Sequence, residues 1–405
     1  MASRTAALLG LLLLQMATPA TAPAATFTVT STVDAPDATP DGICATAADP
    51  PVCTLRAAVQ EANRAADADV IDVPAGKFTL KREGAGEDGS ATGDLDLLFE
   101  TTINGAGAGK KGTAIFGKKD RVFHVLSATP ATFRDLTIAK GKSGTKNDDN
   151  FAFAGGGILS EGALTLERVV VSGNASSHEG GGIAAVDGTL TLTDVTVSKN
   201  KARDDGGGIE MIDVSATLTR VTIAKNKASD EGGGLHVVFG SAATLENCTI
   251  SGNSSVEEGG GIRIESGGTV LLTNVTIAGN KAKEGGGGVD PSDDAGAVTF
   301  RNMVLDKNKP ANCGGPVTLA GANLESGDSC GLSPAETNLK MKLAGLKDNG
   351  GATPTHALKK DSPAIDFGND ANCPATDQRG QARVDVPTAG PRICDSGAFE
   401  FVPAP

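Results

Sequence analysis

Apolar and polar residues alternate along most of the chain, and the alternation recurs in blocks of 25 to 28 residues. Every block begins with a glycine triplet and closes with an asparagine, and the next triplet begins six residues after that asparagine. Alternation with a period of two is typical of β-strands, so the pattern predicts three short strands in each block. The triplets begin at Gly155, Gly180, Gly206, Gly232, Gly259 and Gly286, and the asparagines are Asn174, Asn200, Asn226, Asn253, Asn280 and Asn308.

The aligned blocks place apolar residues in columns, with threonines in the positions between them. No block buries its own apolar side, but stacking the blocks at roughly 4.8 Å buries all columns together, because each strand then pairs with its copy one coil away. We therefore predict an all-β fold, a right-handed parallel β-helix with apolar side chains inside and threonines outside. One inward column consists of Val169, Val195, Val221, Cys248 and Val275. Since Cys248 replaces valine there, we expect a buried and unreactive thiol.

A leucine-rich repeat is the alternative fold at this period. Such a repeat needs a return segment with leucines at helical spacing. Here the return consists of a short charged loop and the glycines, so the β-helix is the preferred interpretation.

The first 24 residues have the form of a signal peptide. Arg4 supplies the positive end, residues 6–14 supply a short apolar run, and Ala22 to Ala24 form a small-residue cleavage site. No later stretch is long and apolar enough to span a membrane. We therefore predict a secreted protein, located in the extracellular space or at the cell surface.

Composition narrows the class of partner. The formal net charge of -13 argues against nucleic acid and anionic lipid surfaces, because like charges repel. The same charge disfavours polyanionic glycans unless a metal ion or a local basic patch compensates it. Tryptophan and tyrosine are absent, which removes the usual platforms on which sugars stack.

The cysteines suit export to an oxidising compartment, since six of the seven lie in close sequence pairs. Pairing between neighbours is the simplest connectivity, although the sequence leaves other pairings open. The neighbour pairs are Cys44 with Cys53, Cys313 with Cys330, and Cys373 with Cys394.

The segment from Cys53 to Asn63, CTLRAAVQEAN, carries its apolar residues on one helical face. Thr54 is placed to cap the start of this helix. Because a solenoid needs its open ends covered, we expect the amphipathic helix to close the N-terminal end.

Several motifs resemble those of exported bacterial β-helix proteins. CTLRAAVQEAN resembles the CSLREA-type segment that opens many of these chains. DNGGATPTHAL, SPAID, TDQRG and CDSGAFE, between residues 348 and 400, are similar to the choice-of-anchor Q module at the end of such chains. The glycine–asparagine blocks resemble those of polymorphic outer-membrane proteins and other pectin-lyase-like folds. The resemblance implies an exported or surface-located β-helix protein and no agreed activity.

The predicted organisation has four parts. Residues 1–24 are the signal peptide, 25–80 an N-terminal cap with the helix, 81–325 the β-helix coils, and 326–405 a C-terminal cap or anchor-like module. We expect the C-terminal cap to be irregular and tied by disulfides.

The loop before each glycine triplet carries the main candidate chemistry. Two acidic residues precede three of the six triplets and one precedes two others, and stacking would place them in a column with neighbours roughly 5 Å apart. Flanking lysines would compensate this repulsion, or a calcium ion would bridge adjacent coils. A solvated edge of mixed charge is the simpler interpretation, and acid–base catalysis by a carboxylate pair is a third. The candidate calcium ligands are Asp204, Asp205, Asp230, Glu231, Glu257 and Glu258.

An insertion supplies a second candidate site. Gly141 takes the asparagine position, yet the next triplet begins fourteen residues later instead of six. Insertions in solenoids often mark the binding face, although a tolerated surface loop is the alternative. The candidate binding residues are Asp148, Asp149, Phe151 and Phe153.

These observations favour a non-catalytic β-helix scaffold that serves adhesion or binds an unknown surface glycan or protein. The alternative is a polysaccharide lyase or glycoside hydrolase that acts on a long glycan along the helix face. Against an enzyme, the sequence shows no family catalytic motif and no evident column in which arginine or lysine joins the acids. His124, His236 and His356 are isolated, so structural or solvent-facing roles are expected for them.

Overall fold

The computed structural model describes residues 24–84, 86–144, 154–383 and 394–403. Within this part, the chain winds into a parallel β-helix in which each coil contributes one strand to each of three sheets. Strands one coil apart pair in parallel and in register, so that Val171 lies beside Val197 and Val197 beside Ile223. The predicted all-β solenoid is confirmed.

Sheet 1 contains the strands that follow the glycine triplets, and the chain passes from it to sheet 2 and then to sheet 3. In the described residues, the strands of sheet 1 are Leu95–Leu97, Phe123–Val125, Ile158–Ser160, Ile183–Val186, Ile209–Ile212, Leu235–Val238, Ile262–Ile264, Lys281–Pro291 and Lys309–Cys313. Those of sheet 2 are Thr26–Thr28, Asp69–Asp72, Thr101–Asn104, Pro130–Arg134, Ala163–Glu167, Thr189–Thr193, Ser215–Thr219, Ala242–Glu246, Thr269–Thr273, Val298–Arg301 and Thr318–Leu319.

Sheet 3 completes each coil before the asparagine. Its strands are Gly76–Thr79, Thr113–Phe116, Leu136–Ala139, Val170–Ser172, Thr196–Ser198, Thr222–Ala224, Thr249–Ser251, Thr276–Ala278, Val304–Asp306 and Leu324–Glu325. A separate pair joins Lys142–Ser143 to Ala175–Ser176. Strands of sheets 2 and 3 already occur before residue 81, so the first coils lie within the segment interpreted as the N-terminal cap.

The inward columns form one continuous apolar core along the axis. Val195, Val221 and Val275 are fully buried, and Cys248 is 1% exposed in the same column. Burial raises the pKa of the Cys248 thiol to about 12, so the sulfur stays protonated at any physiological pH. The column prediction and the buried position of Cys248 are therefore confirmed.

The asparagines form a ladder inside the corner between sheet 3 and the loop. Asn200 Nδ2 donates to Asn226 Oδ1 at 3.1 Å, and Asn226 Nδ2 donates to Asn253 Oδ1 at 3.0 Å. Each amide also donates to a backbone carbonyl, as Asn226 does to Val197 at 3.0 Å. The ladder satisfies buried polar groups that the turn would otherwise leave unpaired.

The glycine triplet is needed where the chain turns into sheet 1. Gly180 has a φ of +63°, a conformation that other residues rarely adopt. A Cβ on Gly182 would lie 2.6 Å from the carbonyl oxygen of Gly208 in the next coil. The stacked coils approach too closely here for any side chain.

The N-terminal helix, Leu55–Ala62, packs against the strands Leu95–Leu97 of sheet 1 and Asp69–Asp72 of sheet 2. Thr54 caps it as predicted, because its side chain accepts a hydrogen bond from the Ala57 amide. Arg56 is fully buried and pairs with Asp34 at 2.7 Å. Among the described residues no helix has the length and apolarity to cross a membrane.

The three predicted disulfides are present: Cys44–Cys53, Cys313–Cys330 and Cys373–Cys394. The last of them ties the tail, which we define as residues 338–383 and 394–403. The tail does not stop at the open end of the helix. It runs back along the outer face of sheet 3 and buries the outward threonines Thr222, Thr249 and Thr276.

Candidate functional site

One outward position of sheet 1 changes its chemistry from coil to coil. It follows the first inward apolar residue of each strand, and strand register places its members directly beside one another. From the first glycine triplet onward all of them are buried, although they point away from the core. In coil order, from the strand after the first glycine triplet, these residues are Leu159, Ala184, Glu210, His236, Arg263 and Asp290, and the two earlier coils carry Asp96 and the half-buried His124 at the same position.

The carboxylate nearest each triplet lies beside this position. Backbone hydrogen bonds stack the loops, with the Gly180 amide donating to the Asp205 carbonyl at 3.0 Å. The next coils repeat the contact through the carbonyls of Glu231 and Glu258 at 3.2 Å. The loops that carry Glu179, Asp205, Glu231 and Glu258 are therefore stacked coil on coil.

Arg263 is the centre of a dense ion-pair network. Its Nε lies 2.7 Å from Glu231 Oε2, and its Nη1 lies 2.7 Å from Glu258 Oε2. Glu265 and Asp290 approach the same guanidinium at 3.3 and 3.7 Å. The side chain of Arg263 is only 10% exposed, so these contacts are poorly screened by solvent.

His236 forms a second, adjacent pair. Its Nδ1 lies 3.0 Å from Glu210 Oε1, and both side chains are almost completely buried. On the other side, His236 Nε2 lies 3.6 Å from Glu265 Oε1 and has no hydrogen-bond partner. Glu210 therefore orients the imidazole, and Nε2 is aimed toward the more exposed carboxylate of Glu265.

The environment of the site raises the pKa of two carboxyl groups and lowers the pKa of a third. Burial and the charge of Glu210 raise the pKa of Glu179 to about 8. Burial also raises the pKa of Asp205 to about 7, although the nearby His236 opposes this. In contrast, the contact with the His236 imidazole lowers the pKa of Glu265. Protonated and ionised carboxyl groups thus coexist here near neutral pH.

Burial alone would lower the pKa of His236. The charge and hydrogen bond of Glu210, together with the contact to Glu265, outweigh burial and raise the pKa of the imidazole well above its usual value. The two carboxylates therefore favour the protonated, cationic form of His236.

Charge at this face is not a requirement of the fold. In the two preceding coils, Leu159 and Ala184 fill the same outward position and form a small apolar cluster with Ala154. Buried ion pairs often contribute less stability than apolar residues of similar volume. The charged residues in the later coils are therefore better explained by function than by folding.

An exposed aromatic ring lies on the coil that carries His236. Phe239 follows the strand Leu235–Val238, has a φ of +51° and is 63% exposed. An exposed phenylalanine in a left-handed conformation costs stability, so it also points to a binding role.

The predicted calcium ligands separate into two groups. Asp205, Glu231 and Glu258 face the sheet 1 site, where Arg263 already balances the charge of both glutamates. Asp204, Asp230 and Glu257 lie in the first position of each acidic pair, and the charge of Asp230 raises the pKa of Glu257. Calcium binding by any of these carboxylates stays a prediction.

Three residues of the site bring atoms that can act as metal ligands close together. Ligand atoms of Glu231, His236 and Glu265 lie within 4.8 Å of one another. Because Arg263 forms ion pairs with both glutamates, these carboxylates already have a cationic partner.

The sequence interpretation missed the residues that organise this site. The statement that no column joins arginine to acids is wrong, because Arg263 lies among four carboxylates. The expectation that His236 and His124 are isolated is also wrong, since the strand register brings Glu210 beside His236 and Asp96 beside His124. The sequence did contain a signal for this site. The second residue after each glycine triplet changes from apolar to charged along the repeats. Asp148, Asp149, Phe151 and Phe153 lie outside the described residues.

Comparison with known proteins bears on the fold. The solved structure titled "Crystal structure of pectate lyase Pel9A" is similar, with 12% identity, a TM-score of 0.48, and coverage of 94% of this chain and 97% of that chain. The "Azotobacter vinelandii Mannuronan C-5 epimerase AlgE6 A-module" matches with 15% identity, a TM-score of 0.27, and coverage of 67% and 94%. No curated protein matches the sequence. Residues 131–332 match the family described as "Right handed beta helix region", and this part of the chain is therefore a right-handed β-helix, as predicted.

Proposed function

We propose that the protein is an extracellular enzyme that cleaves glycosidic bonds by general acid–base catalysis on the outer face of sheet 1. In this proposal Asp205 or Glu179 donates a proton to the leaving oxygen, and ionised Glu265 activates water. Glu210 is a positioning residue that holds His236 in place.

The observation that carries the proposal is the opposite displacement of carboxyl pKa values on the two sides of His236. Asp205 keeps its proton up to about pH 7, whereas Glu265 loses its proton more readily than an ordinary glutamate. A protonated and an ionised carboxyl group together are what glycoside hydrolysis requires.

The surroundings of the site favour a long and uncharged substrate. Strands of sheet 1 repeat at roughly 4.8 Å, so the face offers a straight track for an extended polymer. Carboxylates outnumber the two cations, His236 and Arg263, which disfavours an anionic sugar at this face. Phe239 supplies an exposed ring on which a sugar can stack.

The test is the release of reducing ends from neutral and amino-sugar polysaccharides between pH 4 and 9. Asp205→Asn and Glu265→Gln are expected to lower the rate by roughly 100-fold or more. Glu167→Gln, which alters an acidic residue on sheet 2, serves as the control and is expected to keep the rate. Unsaturated products would identify a lyase instead of a hydrolase. Absence of any product, or equal rates in all variants, would contradict the proposal.

A non-catalytic scaffold for adhesion or surface binding is the second candidate. The observation that favours it is that Arg263 and His236 already have carboxylate partners, as a purely structural network would. If Asp205→Asn and Glu265→Gln change only the melting temperature and no glycan is cleaved, the scaffold is the better assignment.

A further inference from the structure

The outer face of sheet 3 is divided into a covered half and a bare half. The tail covers the later coils, where Thr222 Oγ1 donates to the Pro354 carbonyl at 2.7 Å and Thr249 Oγ1 donates to Gln378 Oε1 at 2.6 Å. Over the earlier coils, a groove of about 820 Å³ lies above the strands Thr113–Phe116, Leu136–Ala139 and Val170–Ser172.

The floor of the groove is mostly apolar. Ala114, Phe116 and Val170 line it, together with the hydroxyl-bearing Thr137 and Ser172. Phe116 is only half-buried, and an ammonium group already lies near it, with Lys140 Nζ 5.1 Å from its ring centroid. The floor thus combines an aromatic face with a nearby positive charge.

Lysines form the rim of the groove. Lys77 comes from the strand Gly76–Thr79, and Lys110 and Lys111 come from the glycine-rich loop 105–112. This loop folds tightly on itself, because a Cβ on Gly112 would lie 1.8 Å from the Gly107 carbonyl oxygen. The backbone therefore holds the two adjacent lysines at the edge of the floor.

Within the part of the chain that the structure describes, the rim lysines have no acidic partner. In the described ranges no aspartate or glutamate lines the groove, and Lys77, Lys110 and Lys111 form no ion pair there. The chain as a whole carries a net charge of -13, so this basic groove differs in sign from the rest of the molecule. Unpaired cations around an apolar floor select a ligand with acidic groups and a hydrophobic face.

We propose that this groove binds an anionic oligosaccharide. Sugar ring faces pack on Phe116 and Val170, and carboxylate or sulfate groups pair with Lys77, Lys110 and Lys111. The site lies on a different sheet from the cluster around His236, so it does not depend on the proposed catalysis. It supplies the local basic patch without which the net charge of the chain would disfavour an anionic glycan.

The test uses the full mature chain in calorimetric titrations with three hexasaccharides: a sulfated one, a polyuronate and a neutral glucan. Binding is expected for at least one anionic hexasaccharide, to weaken with salt, and to be absent for the glucan. Lys110→Gln/Lys111→Gln is expected to weaken binding by roughly tenfold or more, which corresponds to the loss of two charge-assisted contacts. The matched control is Lys359→Gln/Lys360→Gln, an adjacent and exposed lysine pair on the tail.

Thermal melting of both double variants establishes that they are folded. The proposal is overturned if neither anionic hexasaccharide binds, if the glucan binds equally well, or if both double variants lose the same affinity. The last result would mean that any lysine pair attracts the ligand. The response to the sulfated and carboxylated probes identifies which acidic group the site prefers.

Discussion

Arg263 illustrates how a single residue holds several charges together. Its guanidinium contacts Glu231, Glu258, Glu265 and Asp290 in a largely buried position. Removing one partner of a buried pair leaves uncompensated charge, which typically costs 3–5 kcal/mol. The network therefore depends on this one cation.

Arg263→Met is expected to lower the free energy of unfolding by roughly 3 kcal/mol at pH 7.5. The loss is expected to be smaller at pH 4.5, because Glu231 and Asp290, whose pKa values are raised by burial, then take up protons. Urea unfolding at the two pH values measures both effects. Arg168→Met is the control, since Arg168 and Asp135 form an equally short but half-exposed pair worth at most about 1 kcal/mol. Equal losses at both pH values would contradict the prediction.

Cys248 is chemically inert for reasons of position alone. Its sulfur donates to backbone carbonyls at 3.2 and 3.3 Å within the apolar core. We expect the native protein to show no thiol reactive toward an alkylating reagent and the denatured protein to show one.

The matched substitution is Cys248→Val, which restores the residue of the neighbouring coils and is expected to shift the melting temperature by no more than about 3 °C. Rapid alkylation of the native protein would show that the column opens.

At the scale of elements, the asparagine ladder links each coil from Asn174 to Asn308 to the next. Asn226→Ala removes a donor to Asn253 and to the Val197 carbonyl, and leaves the Asn200 amide without its acceptor. Several buried groups lose partners at once, so we expect a loss of roughly 2–4 kcal/mol in the free energy of unfolding. Thr217→Ala, on the exposed side of sheet 2, is expected to cost less than about 0.5 kcal/mol. A comparable loss in both variants, measured by urea unfolding, would contradict a special role for the ladder.

The elements were predictable from the sequence because the same local demands recur in every coil. Backbone geometry and burial determine the valine columns, the glycine turns and the Thr54 cap. These requirements are local, so the sequence pattern shows them directly. The site around His236 was harder to predict, because it depends on which outward residues become neighbours after stacking. His236 and Glu210 are 26 residues apart in sequence, and only the strand register brings them to 3.0 Å. The position of the tail depends on contacts between residues more than a hundred positions apart, such as Gln378 with Thr249. The repeat pattern of the sequence does not indicate such contacts.

At the scale of the whole molecule, the tail is fastened to the β-helix by a few buried polar side chains. Gln378 is fully buried and bonds to Thr222, Thr249 and Thr353. Gln378→Ala is expected to make the tail at least several-fold more sensitive to limited proteolysis while the coils stay intact. Gln381→Ala, at a nearby exposed glutamine, is the control. If both variants are cleaved at the wild-type rate, Gln378 does not fasten the tail.

Stability is expected to fall as the pH rises from 5 to 8.5. The pKa values of Glu179, Asp205 and Asp395 are raised to between about 7 and about 8, so the folded state keeps protons that the unfolded chain releases near pH 4. Their stabilising effect is complete below pH 4 and is lost as the pH rises through these values. His236 acts in the same direction because its folded pKa is raised above the unfolded value.

His356 acts in the opposite direction, because burial lowers its pKa, but it is a single group. We expect the melting temperature to be higher at pH 5 than at pH 8.5 by roughly 5 °C. Asp205→Asn is expected to flatten this dependence, and Glu167→Gln to leave it unchanged. A melting temperature that increases with pH would contradict the assignment of protonated carboxyl groups.

The outward position of sheet 1 has an evolutionary consequence. Since the inward columns are nearly identical from coil to coil, a duplicate of the block that carries Ala184, inserted between Ile212 and Leu235, would add a turn without disturbing the core. The duplication would move Glu210 away from His236 by one strand spacing, roughly 4.8 Å. A β-helix of this kind can therefore change the distance between reactive groups in fixed increments, through changes in gene length instead of point mutation.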